Sequence, residues 1–174
     1  MNAQDVILGL LSEQPRTGYE IKRHFEQFFS FFFDASYGTI YPTLIKMEKA
    51  ELITKEAVRQ EGKPDKNVYT ITPAGRQRFE RYLHAPAAKE VLRSDFLMHL
   101  YFGQTAGEEA VKDLLLGEIE AKRGLYEDLQ RKLERLEEGK ALTRYQKMSI
   151  QIGLAQYRAT IDHLNELLKE EFGS

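Results

Sequence analysis

Thr39, Pro42, Thr43 and Lys46 recur at the three- and four-residue spacing of one side of a helix, with Ser36, Tyr37 and Tyr41 in the same stretch. Their chemistry is specific. Hydroxyls donate and accept, short side chains let a backbone approach base edges, tyrosine and threonine can touch thymine methyls, and lysine meets phosphate. These are the groups a helix needs in a DNA major groove. The opposite side of the same stretch, Ile40, Leu44 and Met47, follows the 4-then-3 spacing of a buried stripe. Residues 34–53 therefore read as a recognition helix. Tyr37, three residues before Ile40, fits either the core or the groove-facing set. Pro42 lacks an N–H and crowds the carbonyl four residues back, that of Gly38. With Ser36 as N-cap, Pro42 falls early and is expected to bend the start of the helix; a simple irregularity is the other reading.

Such a helix must be held by others. Residues 2–13 form an apolar helix with Val6, Ile7, Leu10 and Leu11 as its stripe, started near Asn2 or Gln4 and stopped by Gln14-Pro15. Thr17 with Glu20 matches a capping box and opens a second helix whose apolar face is Ile21, Phe25 and Phe28. It runs into the aromatic cluster Phe28–Phe33, which reads as core and interface packing or, alternatively, as a ligand pocket. Residues 52–58 and 68–71 have the β-branched character of strands, and 60–67 is a charged, turn-rich loop between them. Thr72-Pro73 opens a further helix, with Thr as cap and Pro in first position, ending near His84.

The remainder is helical and strongly patterned. Residues 88–102 carry Val91, Leu92, Phe96, Leu97 and Leu100. Thr105 with Glu108 predicts a capping box opening a helix that Gly139 ends, on the order of 45 Å long at about 1.5 Å per residue. Tyr126, Leu129, Leu133 and Leu136 keep a 3-4-3 spacing; continued backwards, the register passes through Lys122, Ile119 and Leu115 and is broken once. Thr143 with Gln146 opens the last helix. Its seam is Ile150, Leu154, Tyr157, Ile161, Leu164 and Leu168, a 4-3-4-3-4 coiled-coil repeat. A second stripe, Met148, Ile152, Ala155 and Ala159, lies beside it. Two stripes exceed what one antiparallel partner requires, so pairing within the chain can use one and a second chain the other. Leu129, Leu133 and the six seam residues are the candidate dimerisation set.

The expected fold is mainly α: a winged helix-turn-helix of three helices plus a β-hairpin wing over 1–86, then a long-helix dimerisation domain over 87–174. Arg16, Tyr19 and Lys22 sit near the positive start of the second helix, where a phosphate could bind. Arg59, Lys63 and Lys66 would let the wing grip flanking backbone. Lys63 and Lys66 flank Asp65, so an ordinary solvated turn is the other reading. Charge gives little help: the formal net charge is −2, and residues 1–86 carry 12 Lys+Arg against 11 Asp+Glu. DNA-binding charge must therefore be a local patch.

Other classes are poorly supplied. There is no cysteine, which removes disulfides and thiolate metal sites and fits a reducing cytoplasm. His24, His84, His99 and His163 are scattered, and no phosphate-binding loop or nucleophile motif occurs, so neither enzyme, metal nor cofactor is expected. The N-terminal Met-Asn-Ala-Gln-Asp is a poor signal peptide, and no apolar run approaches a membrane span. The rival reading is a winged-helix protein-interaction module whose coiled-coil tail binds a partner protein.

Tyr37-Gly-Thr-Ile-Tyr-Pro-Thr-Leu44, followed by Met47-Glu48 and Ala50-Glu-Leu-Ile53, resembles the recognition-helix signature of PadR-like transcriptional regulators. The stretch from Gly62 through Tyr69, Thr72 and Gly75 resembles that family's wing and following helix start, and Leu8-Gly-Leu-Leu11 and Thr17-Gly-Tyr-Glu-Ile21 also fit. The tail resembles, by pattern only, the branch with an extended helical C-terminal domain that includes virulence-gene activators. The resemblance implies a homodimer formed through the C-terminal helices, a double-stranded, pseudo-palindromic DNA operator, a repressor role, and release by a small aromatic or drug-like effector. The family's wing is often more basic. Here two lysines bracket an aspartate, which implies a weaker, salt-sensitive grip.

Overall fold

The computed structural model describes residues 2–27, 29, 37–60, 63–89, 91–139 and 142–173, apart from the side chains at 37, 60, 63 and 64. Its contacts divide the chain into two units, Met1–Glu90 and Val91–Ser174.

In the first unit α1 spans Ala3–Glu13. Asn2 starts it through a reciprocal cap: its side chain accepts the Asp5 N–H at 3.0 Å and the Asp5 carboxylate accepts the Asn2 N–H at 3.0 Å. The buried face is Ile7, Leu8, Leu10 and Leu11, so Leu8 takes the place expected for Val6, which is only partly buried. A two-residue strand, β1 (Arg16–Thr17), comes next. Sequence patterning gave no sign of it. Helix α2 (Gly18–Gln27) follows, buries Ile21 and Phe25, and is opened by the expected Thr17/Glu20 exchange. Phe29 packs edge-on against Phe25, with ring centroids 5.6 Å apart. The rest of the 28–33 aromatic run and Ser36 lie outside the described residues.

The recognition stretch begins with a 3-10 turn, Tyr37–Thr39, and continues as α3 (Ile40–Lys49). Ile40, Leu44 and Met47 are fully buried, as their spacing predicts. With Thr39 as the cap residue, Pro42 is the third helical residue. Its missing N–H is one of those that no helix bonds internally, so the proline disturbs little. The other end closes on Glu51, at φ 56°. Glu51 N–H reaches the Glu48 carbonyl and Leu52 N–H the Met47 carbonyl, each at 3.0 Å. This is a left-handed helix end with Glu where Gly is usual, backed by the buried pair Met47 and Leu52.

Strands β2 (Ile53–Gln60) and β3 (Lys63–Ile71) pair antiparallel from Ile53↔Ile71 to Gln60↔Lys63, with an irregularity between Val58 and Gln60. β1 joins the far side of β3, Arg16 opposite Tyr69, giving the order β1-β3-β2. The expected 60–67 loop is thus mostly strand. Backbone pairing carries the hairpin beyond its buried base, and exposed strands show no apolar alternation to announce them. Helix α4 (Pro73–His84) starts as predicted, with Thr72 capping Gly75 N–H at 3.1 Å and Pro73 in the first turn. One core gathers α1, α2, α3 and the sheet, including Phe25, Leu44, Ile53, Tyr69 and Ile71.

In the second unit α5 (Asp95–Tyr101), α6 (Gly103–Ala106), α7 (Glu108–Glu138) and α8 (Arg144–Phe172) succeed one another. Thr105 is not a cap. It lies inside α6, and the chain breaks at Gly107, whose φ of 93° only glycine adopts easily, before α7 begins. Thr143 and Gln146 do form the expected reciprocal cap of α8. α7 and α8 run antiparallel. Leu115 and Ile119, early in α7, share a core with Leu164 and Leu168, late in α8, while Lys147 meets Glu137 at the other end.

Candidate nucleic-acid interface

Turning Ile40, Leu44 and Met47 inward leaves Thr39, Tyr41, Pro42, Ile45, Lys46 and Lys49 exposed on α3. Ile45 is 54% exposed and was not anticipated. It lies four residues from Tyr41, on the same face, where its methyls could meet a thymine methyl. Its place one step past the buried stripe was the available signal. Thr43 is half-buried, and its hydroxyl donates to the Thr39 carbonyl at 2.6 Å, leaving its lone pairs to accept. Tyr37 lies in the 3-10 turn, and its side chain is outside the described residues.

Tyr41 is held at the α2 start. A Cβ at Gly18 would lie 2.9 Å from Tyr41 Cε1 and 3.6 Å from its Oη. Tyr69, buried on β3, has its phenol pKa pushed up, first by burial and then by the nearby Glu48 and Tyr41. Glu48 also faces Lys55 of β2 at 3.9 Å, tying the last turn of α3 to the wing. A firmer tie comes from Thr72, whose hydroxyl donates to the Glu51 carbonyl at 2.7 Å and whose N–H reaches the Leu52 carbonyl at 3.1 Å.

The α2 start differs from expectation in two respects. Arg16 does not point to solvent: it is 9% exposed, and its guanidinium donates to the Leu10 carbonyl (3.2 Å), His24 Nε2 (2.9 Å) and the Glu13 carboxylate (2.8 Å). Since a guanidinium only donates, His24 Nε2 must accept, which requires a neutral imidazole. Its pKa is accordingly lowered, first by burial and then by Arg16. The positive end of α2 is also already occupied. The Glu20 carboxylate accepts from both Thr17 N–H and Thr17 Oγ1 at 2.7 Å. Those bonds lower its pKa, so the carboxylate stays ionised there. Tyr19 remains 69% exposed beside it, and Lys22 is half-buried and paired with Glu26 at 3.4 Å.

On the wing, Arg59 and Lys66 are exposed, and Lys66 lies near enough to Glu20 to help lower its pKa. The wing base and the α2 start therefore share one neighbourhood. The Lys63 side chain lies outside the described residues.

Of the candidate dimerisation residues, Leu129, Ile150, Leu164 and Leu168 are buried within the unit itself, and Leu133, Leu154, Tyr157 and Ile161 are half-buried. The second stripe stays open: Met148 is 45% and Ile152 60% exposed, with Ala155 and Ala159 beside them. The same unit has an apolar hollow of about 410 Å³ lined by Met98, His99, Phe102, Ala110, Val111 and Leu114. Among the described residues there is no cluster able to hold a metal, and no helix is long and apolar enough to cross a membrane.

A helical trio with a buried-backed, polar-faced third helix and a two-stranded wing defines a winged helix-turn-helix; here a long antiparallel helix pair follows it in sequence. Residues 7–81 match the transcriptional regulator PadR-like family, and residues 92–170 match the virulence activator alpha C-terminal family. The negative transcriptional regulator PadR of Bacillus subtilis is 30% identical over 132 residues, covering 75% of this chain and 72% of that protein. A PadR-like transcriptional regulator from Bacillus cereus superposes with a TM-score of 0.87 at 40% identity over 97% of both chains. Bacillus subtilis PadR has the same fold in complex with operator DNA (TM-score 0.85, 24% identity, 96% of both chains). In complex with p-coumaric acid its TM-score is 0.75, at 22% identity over 96% of this chain and 93% of that one. The chain belongs to the PadR-like family of transcriptional regulators, and its tail is the extended C-terminal domain of the virulence-activator type. The family regulates transcription and is not one of enzymes.

Proposed function

We propose that this chain is a cytoplasmic homodimeric repressor that binds a pseudo-palindromic operator and is released by a small aromatic molecule. One observation carries the reading: the exposed face of α3, with Thr39, Tyr41, Pro42, Ile45 and Lys46, stands on a fully buried Ile40, Leu44 and Met47 and is tied at its far end to the wing and α4. Such a face is short, hydroxyl-bearing and locked in place, as groove reading requires. Tyr19, Lys22 and Thr43 flank it, and Ser36, Tyr37, Lys63 and Lys66 complete the proposed contact set.

Dimerisation would place two copies of α3 in successive major grooves, roughly 34 Å apart. In this reading Leu129, Leu133 and the α8 seam from Ile150 to Leu168 set the rigidity of the pair, and the open stripe beside the seam meets the second copy. The B. subtilis protein's p-coumaric acid complex supports an aromatic effector, and the hollow at Phe102 has the size and apolar lining for one ring. A rotation of the wings would then alter α3 spacing, and with it affinity.

The test is retardation of the DNA upstream of the chain's own gene by the full-length protein. Binding should weaken steeply with salt, and Tyr41→Ala should weaken it at every salt concentration. Lys46→Ala should reduce the log–log salt slope by about 2, since the dimer loses one phosphate contact from each protomer. No retardation at low salt would instead favour the protein-interaction module, with the exposed α8 stripe as its docking face.

A further inference from the structure

We propose that Gly18 is a positioning residue for DNA reading: the missing side chain lets the Tyr41 ring lie against the first turn of α2, which sets the direction in which its hydroxyl meets DNA. The inference rests on the DNA-binding reading of α3. Gly18 is buried at the α2 start, whereas Tyr41, in the first turn of α3, is 49% exposed. A Cβ at position 18 would come within 2.9 Å of Tyr41 Cε1, closer than side chains tolerate. One of the two must move, and the geometry decides which. Gly18 is fixed in a helix start hydrogen-bonded through Thr17 and Glu20. Tyr41 is a half-exposed ring at the end of two rotatable bonds. Gly18→Ala therefore turns the ring away and leaves the helix in place. Alanine is also the better helix former, which offsets any small loss of packing. The consequence is a change in DNA recognition without a matching change in stability.

The experiment is a double-mutant cycle on the full-length chain with Gly18→Ala, Tyr41→Ala and both together. The probe is a labelled duplex selected from random-sequence DNA by the wild-type protein, read by fluorescence anisotropy, with thermal midpoints measured in parallel. Gly18→Ala should weaken binding by about tenfold with a midpoint within about 2 °C of wild type, and should have no effect once Tyr41 is alanine. Repeating the selection with Gly18→Ala should return a changed base preference within the half-site, which a generally loosened fold would not produce. Wild-type affinity of Gly18→Ala, equal losses with and without Tyr41, or a collapse of the midpoint would each overturn the inference while leaving the DNA-binding reading intact. A wild-type protein that selects no duplex would overturn both.

Discussion

Arg16 holds three segments together: α1 through the Leu10 carbonyl and Glu13, β1 through its own pairing with Tyr69, and α2 through His24. The arrangement needs His24 as an acceptor, and burial with the adjacent cation keeps its pKa below the ordinary 6.5. A histidine whose folded-state pKa is depressed contributes stability that is complete above its unfolded value and lost as pH falls through the folded one. The thermal midpoint should thus fall on acidification from about pH 6.5 downward, and His24→Gln, which keeps an acceptor but cannot titrate there, should flatten that segment. Glu20, whose pKa is also lowered, begins to matter only below its ordinary 4.5, so the His24 loss sets in first on acidification. An unchanged slope in His24→Gln would remove His24 as the cause.

At the scale of elements, α3 is positioned from both ends by contacts that differ in kind. At its start, Tyr41 leans on Gly18. Beyond its end, the first turn of α4 presses on the chain at Leu52: a Cβ at Gly75 would overlap the Leu52 carbonyl oxygen. That obstacle is backbone, held by Thr72 N–H, and no rotamer change relieves it. Gly75→Ala is expected to destabilise the first unit by roughly 1–3 kcal/mol, measured by urea unfolding, in contrast to the near-neutral Gly18→Ala. Helix periodicity and caps were readable here in advance: Ile40, Leu44 and Met47, Thr17, Thr72 and Thr143 all behave as their spacing predicts, while at the start of α1 the structure chooses Asn2 over Gln4. The Thr105 cap was not, because the break at Gly107 starts α7 afresh. The wing strands ran further than their apolar residues indicated, since pairing with a partner strand, and not a buried face, sustains them.

For the whole molecule, the α7–α8 pair uses the Ile150–Leu168 seam on itself and leaves Met148, Ile152, Ala155 and Ala159 to solvent. In the proposed dimer that stripe is the contact between copies, so Ile152→Glu should give a folded monomer in analytical ultracentrifugation, with an unchanged helical spectrum and much weaker operator binding. A dimer that survives both Ile152→Glu and Met148→Glu would place the interface elsewhere. The two apolar stripes, the caps at Thr17, Thr72 and Thr143 and the buried side of α3 were determined by the sequence alone, because helical periodicity and capping depend only on residues within a few turns. Tertiary structure decided the rest. Arg16 looked like a phosphate ligand until strand pairing set it opposite Tyr69 and folding closed Leu10, Glu13 and His24 around it; Glu20 took the positive end of α2; and Gly18 acquired a role only when Tyr41, 23 positions later, came to rest upon it. Each of those outcomes depends on partners brought together by the fold, which no local pattern records.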